Sequence, residues 1–245
     1  MRAEDLQALF DGAASALVLL PENVADENFV ENRAHVSRAI RDALRASPVE
    51  HVVALSAVGA AHPDAPGPPG GLYGFERDLA ELEGRAVLVL RSAAYMDYLL
   101  AALPLIEAQG LNGSAVRAGV RFPMVATSDV AHEAAERLRL RDFTSHEIKL
   151  LLGPADVTMS EATHAIGVRL GLPALQYVEF PPEAVRGALM SAGMSEQVAA
   201  LMVDVQLAWN DGRYFDGIER TPESATPTGL DDFLNQALAA AAPTR

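Results

Sequence analysis

Short apolar runs alternate with longer amphipathic segments over the first 110 residues. The runs are continuous, which predicts strands buried on both faces of a sheet. They are Ala16–Leu20, His51–Ser56 and Val87–Leu90. The intervening segments carry apolar residues at helical spacing, from Phe29 to about Ala46, Leu72 to Leu82 and Tyr95 to Gln109. Buried strands that alternate with helices predict a parallel sheet with right-handed crossovers.

The pattern changes after about Gly110, where helical segments dominate. We expect strands at Glu147–Leu152 and Tyr177–Phe180, and a capping box at Thr158–Glu161 that opens a helix. Further helices are predicted near Asp129–Leu138, Pro182–Ala192, Ser195–Asn210 and Leu230–Ala240. The chain therefore reads as an α/β domain over residues 1–125 and a smaller, mostly helical C-terminal lobe over residues 126–245. Clefts between such units commonly bind small ligands.

Charge and composition narrow the functional classes. The net charge of −14 disfavours direct binding to nucleic acid, because a phosphate backbone would be repelled. The chain has no cysteine, which excludes disulfides, thiolate catalysis and cysteine metal sites. The six histidines form no helical pair with a third ligand nearby, so we expect no metal. With no membrane-length apolar run and no signal-like N-terminus, we expect a cytoplasmic protein with no membrane partner.

Several short segments, taken in order, carry a family resemblance. They are Val52–Ala60, Gly71–Leu79, Leu90–Leu100, Ser128–Ala131, Leu152–Pro154 with Thr158–Glu161, and Thr228–Phe233. In order and spacing they resemble the NmrA-like group of atypical short-chain dehydrogenases/reductases, across nearly the whole chain. The resemblance implies a Rossmann-like parallel sheet with flanking helices that binds NADP or NAD.

The same resemblance leaves two functions open. Some members of the group reduce quinones, enones or other small carbonyl-type electrophiles with NAD(P)H. Others sense the cofactor and regulate a partner protein without turnover. We therefore expect an NAD(P)H-dependent reductase of a small-molecule electrophile, with a non-catalytic sensor or partner-binding protein as the alternative.

The resemblance also implies positions for the cofactor. Leu20 and Pro21 would lie beside the adenosine and its ribose. Ser56 and Ala57, at the end of the second apolar run, would flank the nicotinamide ribose. The segment Ala93-Ala94-Tyr95 would line the nicotinamide pocket.

Tyr73 and Arg77 have the spacing of the dehydrogenase tyrosine and lysine, with arginine in place of lysine. The resemblance makes Tyr73 the candidate catalytic acid and Arg77 a ribose ligand. An arginine can hold a ribose, but its planar group does not replace the point charge of an ammonium. The alternative is structural: Tyr73 is a partly buried aromatic on a helix, and Arg77 pairs with Glu76 or Asp78.

The family's glycine-rich opening has no counterpart in this sequence. Members open with a strand, a glycine turn and a helix whose amides bind the pyrophosphate; here the only glycine before Gly59 is Gly12. The resemblance thus implies a truncated Rossmann-like sheet, weakened cofactor anchoring and an exposed apolar edge at residues 16–20. Three explanations stay open: a chain that naturally starts upstream of Met1, a homodimer that covers the edge, or Met1–Phe10 folded across the gap.

Overall fold

The computed structural model describes residues 3–241 and has a mixed α/β architecture. The helices are α1 (Ala3–Phe10), α2 (Phe29–Arg45), α3 (Pro68–Ala80), α4 (Leu103–Gln109), α5 (Thr127–Leu140), α6 (Met159–Arg169), α7 (Pro182–Ser191), α8 (Glu196–Asn210) and α9 (Leu230–Ala241). The strands are β1 (Ser15–Val18), β2 (His51–Ala57), β3 (Ala86–Ser92), β4 (Ala94–Tyr95), β5 (Leu111–Ser114), β6 (Phe122–Val125), β7 (His146–Leu151), β8 (Asp156–Val157) and β9 (Gln176–Glu179). Two 3₁₀ segments, Val58–Ala61 and Met96–Ala102, follow β2 and β4.

The main sheet has the strand order β1-β2-β3-β7, and every neighbouring pair is parallel. Alternate residues of its strands enter two different cores. Val52 and Val87 pack with α2 and α3 on one face, whereas Val53 and Leu88 pack with α5 on the other. The sheet is therefore buried on both faces, as the continuous apolar runs predict. The expected parallel sheet with flanking helices is confirmed.

Two helix boundaries differ from the sequence-based expectation. Helix α3 begins at Pro68, four residues before the predicted start, because Pro68 occupies the first turn, where its missing N–H costs nothing. The predicted helix from Tyr95 to Gln109 is divided: Met96–Ala102 is 3₁₀ and α4 begins at Leu103. Pro104, in the first turn of α4, cannot donate the hydrogen bond that would continue an α-helix through this point.

The second half of the chain builds two small sheets, β4-β6-β8 and β5-β9. A separate core joins the β4-β6-β8 sheet to α6 and α9, with Phe122 stacked on Trp209 at 5.0 Å between ring centroids. The carboxylate of Asp129 accepts hydrogen bonds from the backbone N–H (2.9 Å) and the hydroxyl (2.6 Å) of Thr228, which ties α5 to the residues before α9. The domain boundary at residue 125 stays a prediction, and β7 lies beyond it in the main sheet.

The edge strand β1 pairs only with β2 among the described residues. Its inward residues are buried, but Leu17 and Leu19 are 42% and 48% exposed. Helix α1 packs mainly against α2, with Leu6 and Phe10 buried in the same core as β1. The free edge of β1 therefore keeps an apolar, half-exposed surface.

The predicted capping box is confirmed at the start of α6. Thr158 Oγ1 accepts a hydrogen bond from the Glu161 backbone N–H (3.1 Å), and Glu161 Oε2 accepts one from the Thr158 backbone N–H (2.9 Å). None of the helices between residues 3 and 241 combines the length and the apolar character needed to cross a bilayer.

Candidate functional site

The carboxyl ends of β1, β2 and β3 lie side by side at one edge of the main sheet. Ala54 of β2 pairs with Val18 of β1, and Ser56 of β2 pairs with Arg91 of β3. Just beyond β1, Leu20 is buried and Pro21 is exposed. In parallel α/β sheets this edge is where ligands bind. We call the ends of these strands, with the adjoining residues 20–21, 56–57 and 92–95, the strand-tip site.

A buried polar network fixes the tips of β2 and β3 relative to α3. The Ser56 hydroxyl donates to Glu76 Oε1 (2.5 Å), and the Arg91 guanidinium donates to both Glu76 oxygens, from Nε to Oε1 (3.0 Å) and from Nη2 to Oε2 (2.6 Å). Side chains of Glu76 and Arg91 are 8% and 16% exposed. Both carboxylate oxygens of Glu76 are therefore occupied by Ser56 and Arg91, so Glu76 holds the strand ends in place rather than contacting a ligand.

Ser92 extends this network to Tyr95. Its hydroxyl oxygen lies 3.0 Å from the Ser56 carbonyl oxygen and 3.0 Å from the Tyr95 hydroxyl oxygen. Burial raises the pKa of Tyr95 above its usual value, because the phenolate would lose hydration. The phenol therefore stays protonated at neutral pH and can donate a hydrogen bond. Ser92, which pairs with Ala57 in the β2–β3 register, thus links the predicted residues Ser56, Ala57 and Tyr95.

Ala93 and Ala94 lie within this turn and are buried at 4% and 8% exposure. The Ala93 N–H donates to the Leu151 carbonyl oxygen (2.9 Å), and Ala94 pairs with Met124 of β6. The chain thus passes from the main sheet into the second core at this point.

Tyr73 and Arg77 occupy α3 one turn apart. Arg77 is exposed, and a side-chain hydrogen bond with the Tyr73 phenol raises the pKa of its guanidinium. The two carboxylates beside Arg77 are engaged elsewhere: Glu76 with Arg91, and Asp78 with Arg41 at 3.1 Å. Tyr73 and Arg77 therefore pair with each other, apart from the Ser56–Glu76–Arg91 network.

Arg33 is the most unusual charged group near the site. Its side chain is 5% exposed, and its Nε and Nη1 are buried without a hydrogen-bond partner. Arg33 forms a long ion pair with Glu22, whose Oε1 is 3.9 Å from Nη1. That distance is beyond hydrogen-bond length. Glu22 directly follows Pro21, so Arg33 lies next to the tip of β1.

Sequence reasoning missed Glu76, Arg91 and Arg33. A signal for the first two exists, because Arg91 directly follows a buried apolar run and such a guanidinium needs a carboxylate partner. Arg33 has no comparable signal, since it lies on an amphipathic helix among exposed charges. Between residues 3 and 241, no three His, Asp or Glu side chains converge in a way that could hold a metal ion.

Comparison with known proteins gives structural neighbours only. No protein-family model matches the chain. No curated protein matches it at a significant level. The solved structures that are similar include an NADPH-dependent quinone oxidoreductase from Escherichia coli complexed with NADPH (TM-score 0.78, 19% identity, 96% of this chain and 80% of that chain). A nucleoside-diphosphate-sugar epimerase from Staphylococcus aureus has a TM-score of 0.76 at 17% identity, over 95% of this chain and 80% of that chain.

A third neighbour is the triphenylmethane reductase of Citrobacter sp. complexed with NADP(H), with a TM-score of 0.72 at 19% identity over 96% of this chain and 81% of that chain. Identities this low show the fold alone. The chain has the Rossmann-like α/β fold that these neighbours share.

Proposed function

We propose that the strand-tip site binds NADP(H) or NAD(H) and that the protein is a reductase of a small quinone, enone or carbonyl-type substrate. The observation that carries the proposal is the convergence of Ser56, Ala57 and Tyr95 at one edge of a parallel sheet. Neighbours of the same fold include structures solved with NADPH and with NADP(H), which supports a nicotinamide cofactor.

We assign the cofactor contacts to residues around this edge. Leu20 and Pro21 would contact the adenosine and its ribose, Ser56 and Ala57 the nicotinamide ribose, and Ala93-Ala94-Tyr95 the nicotinamide ring. Arg77 is assigned to a ribose hydroxyl. Arg33 supports the fit, because its unpaired Nε and Nη1 offer donors to an anionic group and a dinucleotide carries phosphates.

The nicotinamide supplies a hydride when it is bound, and the chain supplies position and protons. The Glu76–Arg91 pair holds the tips of β2 and β3 rigidly, so that Ser56 and Ser92 keep the Tyr95 phenol in place. Tyr95 is protonated at neutral pH, and we assign it as a proton donor to a substrate oxygen. Tyr73 is the second candidate proton donor, and its bond to Arg77 keeps a cation beside the phenol.

A non-catalytic sensor is the second candidate function. The exposure of Arg77 favours it, because a solvated guanidinium stabilises a phenolate less than a buried ammonium does. In that case the same tips bind the cofactor and report its redox state to a partner protein.

Two measurements test these functions. Titration of the protein into NADPH, followed by cofactor fluorescence, is expected to saturate, and a parallel titration with NADH compares the two cofactors. NADPH oxidation with a panel of quinones and aldehydes is then expected to be steady and to fall in Tyr95→Phe or Tyr73→Phe, which identifies the proton donor. Saturable binding without turnover would assign the sensor function, and no binding of either cofactor would refute both functions.

We also propose that a second copy of the chain covers the free edge of β1. Exposed apolar strand edges promote association, and Leu17 and Leu19 present such an edge. A two-fold dimer would pair β1 with its own copy and bury both leucines.

A further inference from the structure

Arg33 is buried at a cost that no partner within the described residues offsets. A guanidinium carries five N–H donors, and those on Nε and Nη1 have no acceptor. Buried donors are nearly always paired in folded proteins, because a donor removed from water without a partner loses its hydrogen bonds. Burial also lowers the pKa of this arginine. An acceptor from outside the fold would remove the penalty.

The groups around Arg33 restrain the guanidinium without satisfying it. The Phe29 ring lies 5.0 Å from Cζ and covers one face through a cation–π contact, which uses no N–H group. Glu22 attracts the charge from 3.9 Å but accepts no hydrogen bond, and its own side chain is 42% exposed. The guanidinium is therefore held in place with the donors of Nε and Nη1 unused.

Arg33 also lies beside the residues that we assign to the ligand. Glu22 follows Pro21 at the tip of β1. Burial raises the pKa of Tyr95 and of Tyr98, and the charge of Glu22 raises both further. The Tyr95 and Tyr98 rings are in contact, with centroids 6.0 Å apart. The buried guanidinium thus lies beside the strand-tip site.

We propose that Arg33 binds an oxyanion of the ligand. The N–H group on Nε and those on Nη1 point to different sides of the guanidinium, so one of these unpaired donors bonds an oxygen of a phosphate or a carboxylate. Two sources have this chemistry: a phosphate of the dinucleotide and a carboxylate on the substrate. Glu22 attracts the same guanidinium, so the oxyanion competes with the Glu22 carboxylate when it binds. The inference needs an anionic ligand and does not need reductase activity.

The test uses the whole chain and two probes in calorimetric titrations. The first probe is 2′-phospho-ADP-ribose, which carries the cofactor phosphates without nicotinamide, and the second is benzoate, a simple aromatic carboxylate. Wild-type protein is expected to bind one of them, and the probe that binds identifies the source. Arg33→Met is expected to weaken that binding at least about tenfold, because a charge-assisted hydrogen bond is lost. Arg38→Met, at an exposed position on the same helix, removes an equal charge and is the matched control, with affinity unchanged.

Two further readouts exclude a merely structural role for Arg33. Thermal unfolding of Arg33→Met without ligand is expected to occur at or above the wild-type Tm, because an unpaired buried charge has been removed. Glu22→Gln, at an exposed position, is expected to tighten binding of the anion about two- to fivefold by removing a like charge. A lower Tm in Arg33→Met with unchanged anion affinity, or weaker binding in Glu22→Gln, would overturn the proposal.

The outcomes also separate this inference from the reductase proposal. Anion binding that requires Arg33, in a protein that never oxidises NADPH, supports the inference and refutes the reductase. NADPH oxidation that is unchanged in Arg33→Met, with neither probe bound by wild-type protein, supports the reductase and overturns the inference.

Discussion

Removal of the Glu76 carboxylate is expected to destabilise the protein more than any surface charge does. Glu76→Ala leaves Arg91, 16% exposed, without its bidentate partner and leaves the Ser56 hydroxyl without an acceptor. Breaking a buried ion pair by removing one partner costs about 3–5 kcal/mol. Since Arg91 keeps some contact with water, we expect the lower end, about 3 kcal/mol. Glu76→Gln keeps an acceptor for Ser56 and is expected to cost about 1–2 kcal/mol.

Urea unfolding followed by circular dichroism measures these changes, provided that the denaturant slope stays constant. A double-mutant cycle with Arg91→Ala is expected to give a coupling energy of about 2 kcal/mol. The control is Glu183→Ala, which removes the exposed Arg186–Glu183 pair (2.9 Å) on α7 and is expected to cost under about 0.5 kcal/mol. If Glu76→Ala costs no more than this control, or the coupling is zero, the network does not hold the strand tips.

Three further predictions concern backbone strain, alkaline pH and association. Gly153 has a φ of +70°, and a Cβ at this position would collide with the Met124 carbonyl oxygen. Gly153→Ala is therefore expected to cost about 3 kcal/mol or more in urea unfolding. Gly171 has a similar φ but open space around it, so Gly171→Ala is expected to cost about 1 kcal/mol. Burial raises the pKa of Tyr177 to about 12, so the folded state holds this proton more tightly than the unfolded state does. The stability that this proton contributes at neutral pH is expected to be lost as the pH rises from about 10 to 12. Tyr177→Phe should remove that part of the loss in alkaline unfolding curves. Light scattering is expected to find a dimer that Leu17→Lys dissociates, and a monomeric wild-type protein would contradict the covered β1 edge.

The main sheet could be predicted from the sequence because its strands are buried on both faces. Val52, Val53 and Ala54 are all fully buried, so the run carries no polar interruption that could be mistaken for another pattern. The predicted start of α3, Leu72, is later than the observed start, Pro68. Gly70 and Gly71 are typical of a loop, but they lie in the first turn of this helix. Helix propensity is a weak prior that tertiary contacts override.

Among the short strands after β3, β9 matches the strand predicted at Tyr177–Phe180, whereas β5, β6 and β8 could not be predicted. β6 has four residues and includes Pro123, which argues against a strand by itself. It forms because β4 pairs with it on one side and β8 on the other. Pairing between Tyr95 and Val125 depends on segments 30 residues apart, which no local pattern reports.

The site was partly predictable for the same reason. Ser56 and Tyr95 follow apolar runs, so a parallel sheet places them at one edge. The partners of Ser56 depend on α3 packing: Glu76 lies 20 residues further along and reaches Ser56 only when the helix crosses back over the sheet. Arg33 stands out only once its burial is known.

Amide hydrogen exchange with and without NADPH shows whether the strand-tip site binds the cofactor. Exchange is expected to slow on NADPH binding at residues 20–22, 56–58 and 92–96, with β5 and β9 unchanged as an internal control. Protection that is absent at these tips, or that is confined to the β5–β9 sheet, would contradict a nicotinamide site at the carboxyl edge of the main sheet.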